Sequence, residues 1–340
     1  MPALRLAVAL PHLGVYGGIR RFLELGSVWS SRGHRVALLT PGAAGRPRPW
    51  LPFSGETGSL DALRSERWDA VLSPDPDLFL AVEAKGALRV FYAVLEGAPR
   101  ARDAWARADL VLANSAGIRR HLARRGVRAV DAAGGVNPER FHPDDPDLRL
   151  ARATLGAPVQ ALVYGRTSRA RKGSWMAARA VEAASRATGV PVELTLFDAP
   201  PEGAETPSLP RPLSIPTRWV LRPSQEELRG LYASADIFVS AERRAGWCNT
   251  AAEAMACAAA VACTRSGTED FAIDGVTAAV APVPWGWILS RRIAGLLRDP
   301  DRRRRLAERG RATISEFTWE RTADRIERAI GERLERRADG

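Results

Sequence analysis

The chain has 340 residues, 46% of them hydrophobic and 26% charged, a folded composition too long for one ordinary core and suited to two domains. No apolar run reaches the roughly 18 residues of a membrane-spanning helix, and the three cysteines and four histidines lack metal-ligand spacing. The net charge of +11 is carried by arginine except at Lys85 and Lys172; no basic stripe interleaved with aromatics argues for nucleic acid, while a peripheral membrane surface stays open as a partner.

Met1-Pro2-Ala3-Leu4-Arg5 runs straight into a strand without a cleavable signal pattern, so a reduced, cytoplasmic protein is expected. Leu4–Leu10 reads as a buried strand. A loop containing Gly17 and Gly18 follows, then a helix with Ile19, Phe22, Leu23, Gly26 and Trp29 on one face, and a second strand at Val36–Thr40. This βαβ unit places its glycine turn at the carboxyl end of a strand, where such sheets bind ligands; a mere tight turn is the alternative. Residues 41–58, rich in Gly and Pro, read as a loop. Further strands are expected at Asp69–Ser73, Leu88–Ala93 and Asp109–Asn114. Asp75-Pro76-Asp77 and Asp145-Pro146-Asp147 have the Asp-x-Asp spacing of a metal site, but the intervening proline and the helix after each favour turn and cap roles. No metal or other cofactor is therefore expected.

The second half opens near Pro146. A strand at Ala161–Tyr164 ends in Gly165-Arg166-Thr167-Ser168-Arg169-Ala170-Arg171-Lys172-Gly173, before a helix over Ser174–Ala187. Four cations at a strand's carboxyl end suit a pyrophosphate; an exposed loop of arginines is the alternative. Strands at Val192–Phe197 and Trp219–Leu221 follow, then a helix that Ser224 and Glu227 start as a capping box.

The stretch 231–275 then runs helix, strand (Ile237–Val239), polar turn (Ser240–Arg244), helix (Asn249–Ala259), strand (Ala260–Cys263) and turn (Ser266-Gly267). Gly246 lets the backbone come close to a ligand, and the amides of Trp247, Asn249 and Thr250 stand at a helix N-terminus that welcomes an anion. Glu253, one turn in, is suited to the paired hydroxyls of a ribose. Together these describe a nucleoside diphosphate. Otherwise Gly246 is a turn residue and Glu253 serves the helix dipole. Glu242 in the polar turn is a further candidate. Helices near 286–297, 300–313 and 318–336 close the chain, and the run Arg302–Arg305 reads as a solvated face.

These motifs, in this order, resemble the retaining GT-B glycosyltransferases of family 4, the glycosyl transferases group 1. Glu253-Ala254-Met255-Ala256 matches the second half of the family's Glu-x7-Glu pattern, while Ala245 stands where the first Glu falls and Ala258-Ala259-Ala260 where Gly-x-Pro usually follows. Arg166 and Lys172 correspond to the Gly-Arg…Lys-Gly element; the spacer is longer by one residue than the family's, so Arg171 is able to take the Lys role. Gly17-Gly18-Ile19-Arg20-Arg21, Asn114-Ser115, Gly134 to Pro143, and Ser266-Gly267-Thr268-Glu269-Asp270 resemble four further family segments, Asp270 at the acidic position of the last. The active-site His of many relatives is missing from Phe91–Gly97, where Glu96 is the substitute or else a helix-start carboxylate.

The resemblance implies an α/β fold of two Rossmann-like doubly wound domains facing a central cleft, with boundaries at 1–145, 146–316 and a last helix from 317 packing back on the first domain. It implies a metal-independent enzyme that moves a sugar from a nucleotide-diphosphate donor to an acceptor (a glycan, a lipid-linked glycan or a small natural product), or a weakened relative that assists a partner. In that reading Arg166 and Lys172 stabilise the departing diphosphate. Gly17, Gly18, Gly165, Arg171, Gly246, Trp247, Asn249, Thr250 and Glu253 hold the donor.

Overall fold

Strand β1 (Arg5–Ala9) buries Leu6 and Val8 on one face and Ala7 and Ala9 on the other, the two-sided burial of a parallel strand covered by helices. In the computed structural model, which describes residues 2–15, 17–42, 49–95, 97–144, 156–201 and 203–339, the chain forms two compact units. One comprises Met1–Gly135 with Thr318–Gly340, the other Val136–Phe317. The first boundary thus falls at Gly135 and not at 145, and Asp145, Pro146 and Asp147 lie outside the described residues.

In the first unit β1 leads through helix α1 (Gly17–Ser31) to β2 (Arg35–Thr40), β3 (Glu56–Ser59), α2 (Ala62–Ser65), β4 (Ala70–Ser73) and α3 (Pro76–Ala81). Then come β5 (Leu88–Ala93), α4 (Ala101–Ala106), β6 (Leu110–Ala113), α5 (Ala116–Ala123) and β7 (Val130–Asp131). All pair in parallel in the order β3-β2-β1-β4-β5-β6-β7, so the order reverses between β1 and β4. The stretch expected to be loop up to residue 58 ends in the edge strand β3; Glu-Thr-Gly-Ser carries no apolar alternation because an edge strand buries little. Asp75 accepts a hydrogen bond from Leu78 N at 2.9 Å and Ser115 one from Ile118 N at 3.2 Å, each capping the helix behind it. Helix α11 (Trp319–Ala338) buries Trp319, Ala323, Ile326 and Ile330 in the same core as β1 and α1.

The second unit repeats the plan. Strand β8 (Val159–Tyr164) precedes a 3-10 turn (Ala170–Lys172) and α6 (Ser174–Thr188); β9 (Val192–Asp198), β10 (Thr217–Leu221), α7 (Gln225–Ser234), β11 (Ile237–Ser240), α8 (Asn249–Ala256), β12 (Ala260–Thr264) and β13 (Ala279–Ala281) follow. Helices α9 (Gly286–Arg298) and α10 (Pro300–Ile314) close the unit. The parallel sheet runs β10-β9-β8-β11-β12-β13 and reverses between β8 and β11. Among the described residues no helix is long and apolar enough to cross a membrane.

Helix α8 stops at Ala256, three residues before the expected end, because Ala258 turns left-handed at φ +59°. The family that the sequence resembles usually has glycine here, and a Cβ in this conformation costs roughly 1–2 kcal/mol. Ala258→Gly is accordingly expected to raise stability by about 1 kcal/mol, read as a higher urea midpoint at unchanged slope; an unchanged midpoint would show the strain to be relieved elsewhere.

Candidate functional site

Where a doubly wound sheet reverses its order, the loops beyond the carboxyl ends of the two central strands part and leave a crevice. In the second unit those strands are β8 and β11, and three loops meet beyond their ends: 165–173, 241–248 and 265–270.

The first loop is pinned at both ends by glycines with no room for a side chain. A Cβ on Gly165 would lie 2.4 Å from the Trp219 indole, so Gly165 serves packing against β10. A Cβ on Gly173, at φ +64°, would lie 2.1 Å from the Ala241 carbonyl oxygen. That approach locks the end of the first loop to the start of the second, and Arg243 N adds a hydrogen bond to Arg171 O at 2.7 Å. Between the glycines stand the two predicted cations. Arg166 folds inward: its Nε lies 3.0 Å from Asp198 Oδ1 at the end of β9 and 3.3 Å from the Tyr164 hydroxyl, and its Nη2 donates to Ala199 O at 3.1 Å. The two charged side chains are only 9% and 2% exposed. Burial, partly offset by Arg166, raises the Asp198 carboxyl above its ordinary range, and burial raises the Tyr164 phenol as well.

Lys172, at the end of the 3-10 turn, places Nζ 2.6 Å from Glu242 Oε1 and 5.4 Å from the centre of the Tyr164 ring. The Glu242 side chain is 4% exposed. Its Oε1 also receives the Cys248 thiol at 3.6 Å, while its Oε2 is buried without a hydrogen-bond partner. Burial first, then the Glu242 carboxylate, push the Cys248 thiol up to about 11, so at neutral pH it stays a weak donor. Lys172, Glu242 and Thr250, with Tyr164 and Ser240, line one small cavity at the sheet's reversal.

Gly246 and Trp247 are buried in the second loop, and the Trp247 indole packs on Phe271 at 4.9 Å and Phe317 at 5.4 Å, so its side chain belongs to the core. Cys248 N is committed to Gly267 O at 2.8 Å. Asn249 and Thr250, half-buried, open α8, where first-turn amides have no partner within the helix. Glu253 lies one turn further in; its Oε2 accepts from the fully buried Tyr232 hydroxyl at 3.0 Å. Tyr232 in turn touches Phe141, Phe197 and Phe238, which ties Glu253 to the segment after Asn137. In the third loop Ser266 Oγ accepts from Ala245 N at 2.7 Å, and a Cβ on Gly267, at φ +77°, would lie 2.7 Å from the Ala245 Cβ. Asp270 is half-buried in the same loop.

The structure therefore brings Arg166, Lys172, Glu242 and the start of α8 to one sheet end, with Glu253 buried behind. Gly17 and Gly18 open α1 in the first unit, and Glu96 lies outside the described residues. Sequence reading missed Asp198, Tyr164 and Tyr232. Asp198 carried a signal, a carboxylate directly after the apolar run of β9; the two tyrosines are indistinguishable from core aromatics until their hydroxyls are placed.

Two doubly wound parallel-sheet units in one chain are the fold of the GT-B class of glycosyltransferases. Residues 158–313 match the family model described as glycosyl transferases group 1. Among solved structures the chain is similar to sucrose-phosphate synthase from Thermosynechococcus elongatus (TM-score 0.74, 18% identity, covering 97% of this chain and 98% of that one). It is also similar to HepE from Anabaena in complex with UDP-glucose (0.76, 14%, 97% and 100%) and to a glycosyltransferase from Rickettsia africae (0.74, 16%, 98% and 99%). At such identities these likenesses establish the fold. No protein curated for its function matches the sequence.

Proposed function

We propose that the protein transfers a sugar from a nucleoside-diphosphate sugar to an acceptor, with retention of configuration and without a metal. The observation that carries this reading is the meeting of Lys172, Arg166 and the α8 N-terminus at the reversal of the second sheet, with Glu253 behind them. Departure of a nucleoside diphosphate builds negative charge on its terminal phosphate. Fixed cations and helix-end amides stabilise such charge in place, the role a divalent ion plays in other enzymes. Arg166, fastened by Asp198, supplies a cation that does not have to reorganise. The Glu253 carboxylate, steadied by Tyr232, is set to accept from the ribose hydroxyls, which selects a ribonucleotide and leaves the base open. The complex of HepE with UDP-glucose shows the donor class that one structural neighbour holds. Retention rests on the family resemblance; there the leaving phosphate itself takes the acceptor's proton on the face it departs from. Three free, buried cysteines suit the cytoplasm.

A second reading, a relative weakened in turnover that binds nucleotide for a partner, is favoured by Ala245. Against it, Glu242 brings a carboxylate into the same loop, with one oxygen on Lys172 and the other unpartnered. We assign to Glu242 the contact with the transferred sugar that relatives make from position 245.

A thermal-shift screen over nucleoside diphosphates and nucleotide sugars tests the donor site. At about a hundred times the dissociation constant, ligand adds roughly 2.7 kcal/mol to stability. One base should give a clear shift that Lys172→Ala abolishes and Lys172→Arg partly keeps. No shift with any donor, from protein of normal melting behaviour, would overturn the proposal.

A further inference from the structure

The segment Pro282-Val283-Pro284-Trp285-Gly286-Trp287 runs from the end of β13 into the first turn of α9, on the same side of the sheet as the three loops described above. Burial is the usual fate of so large an apolar side chain, yet Trp285 is 57% and Trp287 56% exposed. Their ring centres lie 6.1 Å apart at 34°, in contact with each other, with exposed Pro282 and Pro284 beside them in sequence. A hydrogen bond from Trp285 N to Val283 O at 2.8 Å holds the turn.

Arginines flank this apolar tip. The Arg291 guanidinium lies 5.8 Å from the Trp287 ring centre. Gly286 abuts Met176, a Cβ there lying 3.5 Å from its side chain, and Arg243 Nη2 reaches the Met176 sulfur at 3.9 Å. Arg244 follows, exposed and held left-handed at φ +58°. Among the described residues none of Arg243, Arg244 and Arg291 forms an ion pair, whereas Arg292, one residue on, is neutralised by Asp274 at 2.8 Å.

We propose that this rim docks on an anionic lipid bilayer. Indole rings favour the headgroup level, where an apolar body and a polar N–H are both satisfied, and unpaired arginines beside them are drawn to acidic headgroups. A sugar-stacking platform would want carboxylates or amides next to the rings, whereas the charged group that lies against a ring among the described residues is the Arg291 guanidinium. Single-stranded nucleic acid would want aromatic faces open to bases, but these two rings are turned on each other. The docked surface adjoins the 241–244 loop through Met176, which would hold the donor site at a lipid-borne acceptor.

The test is sedimentation with vesicles of phosphatidylcholine alone and of equal parts phosphatidylcholine and phosphatidylglycerol. Wild type should sediment with the anionic vesicles only, and less as salt rises. Trp285→Ser/Trp287→Ser and Arg243→Ser/Arg244→Ser/Arg291→Ser should each weaken binding roughly tenfold or more. The tryptophan variant should keep its melting temperature and its nucleotide shift, which separates failure here from failure of the donor-site reading. Absent binding to anionic vesicles, binding indifferent to both variants, or preferential binding to polyuridylate or a soluble glycan would each overturn the proposal.

Discussion

Replacing Asp198 by alanine is expected to cost about 3–5 kcal/mol of folding stability, the usual cost of stranding one member of a buried ion pair. Among the described residues Arg166 pairs with no other carboxylate: its remaining contacts are the Tyr164 hydroxyl at 3.3 Å and the Ala199 carbonyl at 3.1 Å, both neutral. The guanidinium cannot shed its proton, so it must stay charged in a dry site or swing out and take the loop with it. Asp198→Asn keeps the shape and an acceptor but loses the charge, and should fall between wild type and alanine. The informative variant is Arg166→Met with Asp198→Ala, which removes both charges. It should recover most of the stability, because an apolar replacement of a buried pair is often neutral, while donor binding stays lost. Urea denaturation beside the nucleotide thermal shift reads both quantities. If Asp198→Ala falls within about 1 kcal/mol of wild type, the pair is solvated in solution and Arg166 is not preorganised.

How far the sequence could be read follows from how far each residue acts through its neighbours in the chain. Strands buried on both faces announce themselves by continuous apolar runs, and β1, β2, β5, β8, β9 and β11 lie within a residue or two of where those runs place them. Three of the four edge strands do not: β3 reads Glu-Thr-Gly-Ser, β7 has two residues and β13 three, too short or too polar for a pattern. Local caps at Asp75, Ser115 and Ser224 were legible because donor and acceptor are three residues apart. The site was legible as a set of motifs and not as a geometry. Lys172 and Glu242 are 70 positions apart, so nothing local reveals that the lysine meets a carboxylate before it meets a phosphate. Arg166 reads in the sequence as one of four loop cations, and only pairing of β8 with β9 sets Asp198 beside it. Trp247 reads in the sequence through its backbone amide alone, and only the fold shows that its indole packs on Phe271 and Phe317 in the core.

Gly173→Ala should be the most damaging single-methyl change in the second unit's loops, costing about 2–4 kcal/mol as the sum of a left-handed alanine and an overpacked contact. The new Cβ would sit 2.1 Å from the Ala241 carbonyl oxygen, and because the obstacle is backbone, no rotamer change clears it. Relief requires the 165–173 and 241–248 loops to part. Parting them breaks the Arg243 N to Arg171 O hydrogen bond and draws Lys172 away from Glu242. The functional loss should therefore exceed the stability loss: protein still folded at low temperature should show no nucleotide shift, and any turnover should have a raised KM for the donor. Gly173→Asn separates the two causes, since asparagine tolerates the left-handed backbone but brings the same Cβ. If close approach dominates, asparagine will be as damaging as alanine; if φ dominates, it will recover most of the stability. Stability near wild type in both variants would mean that the two loops already move apart in solution, and the Lys172–Glu242 pair would then be one state of an opening site.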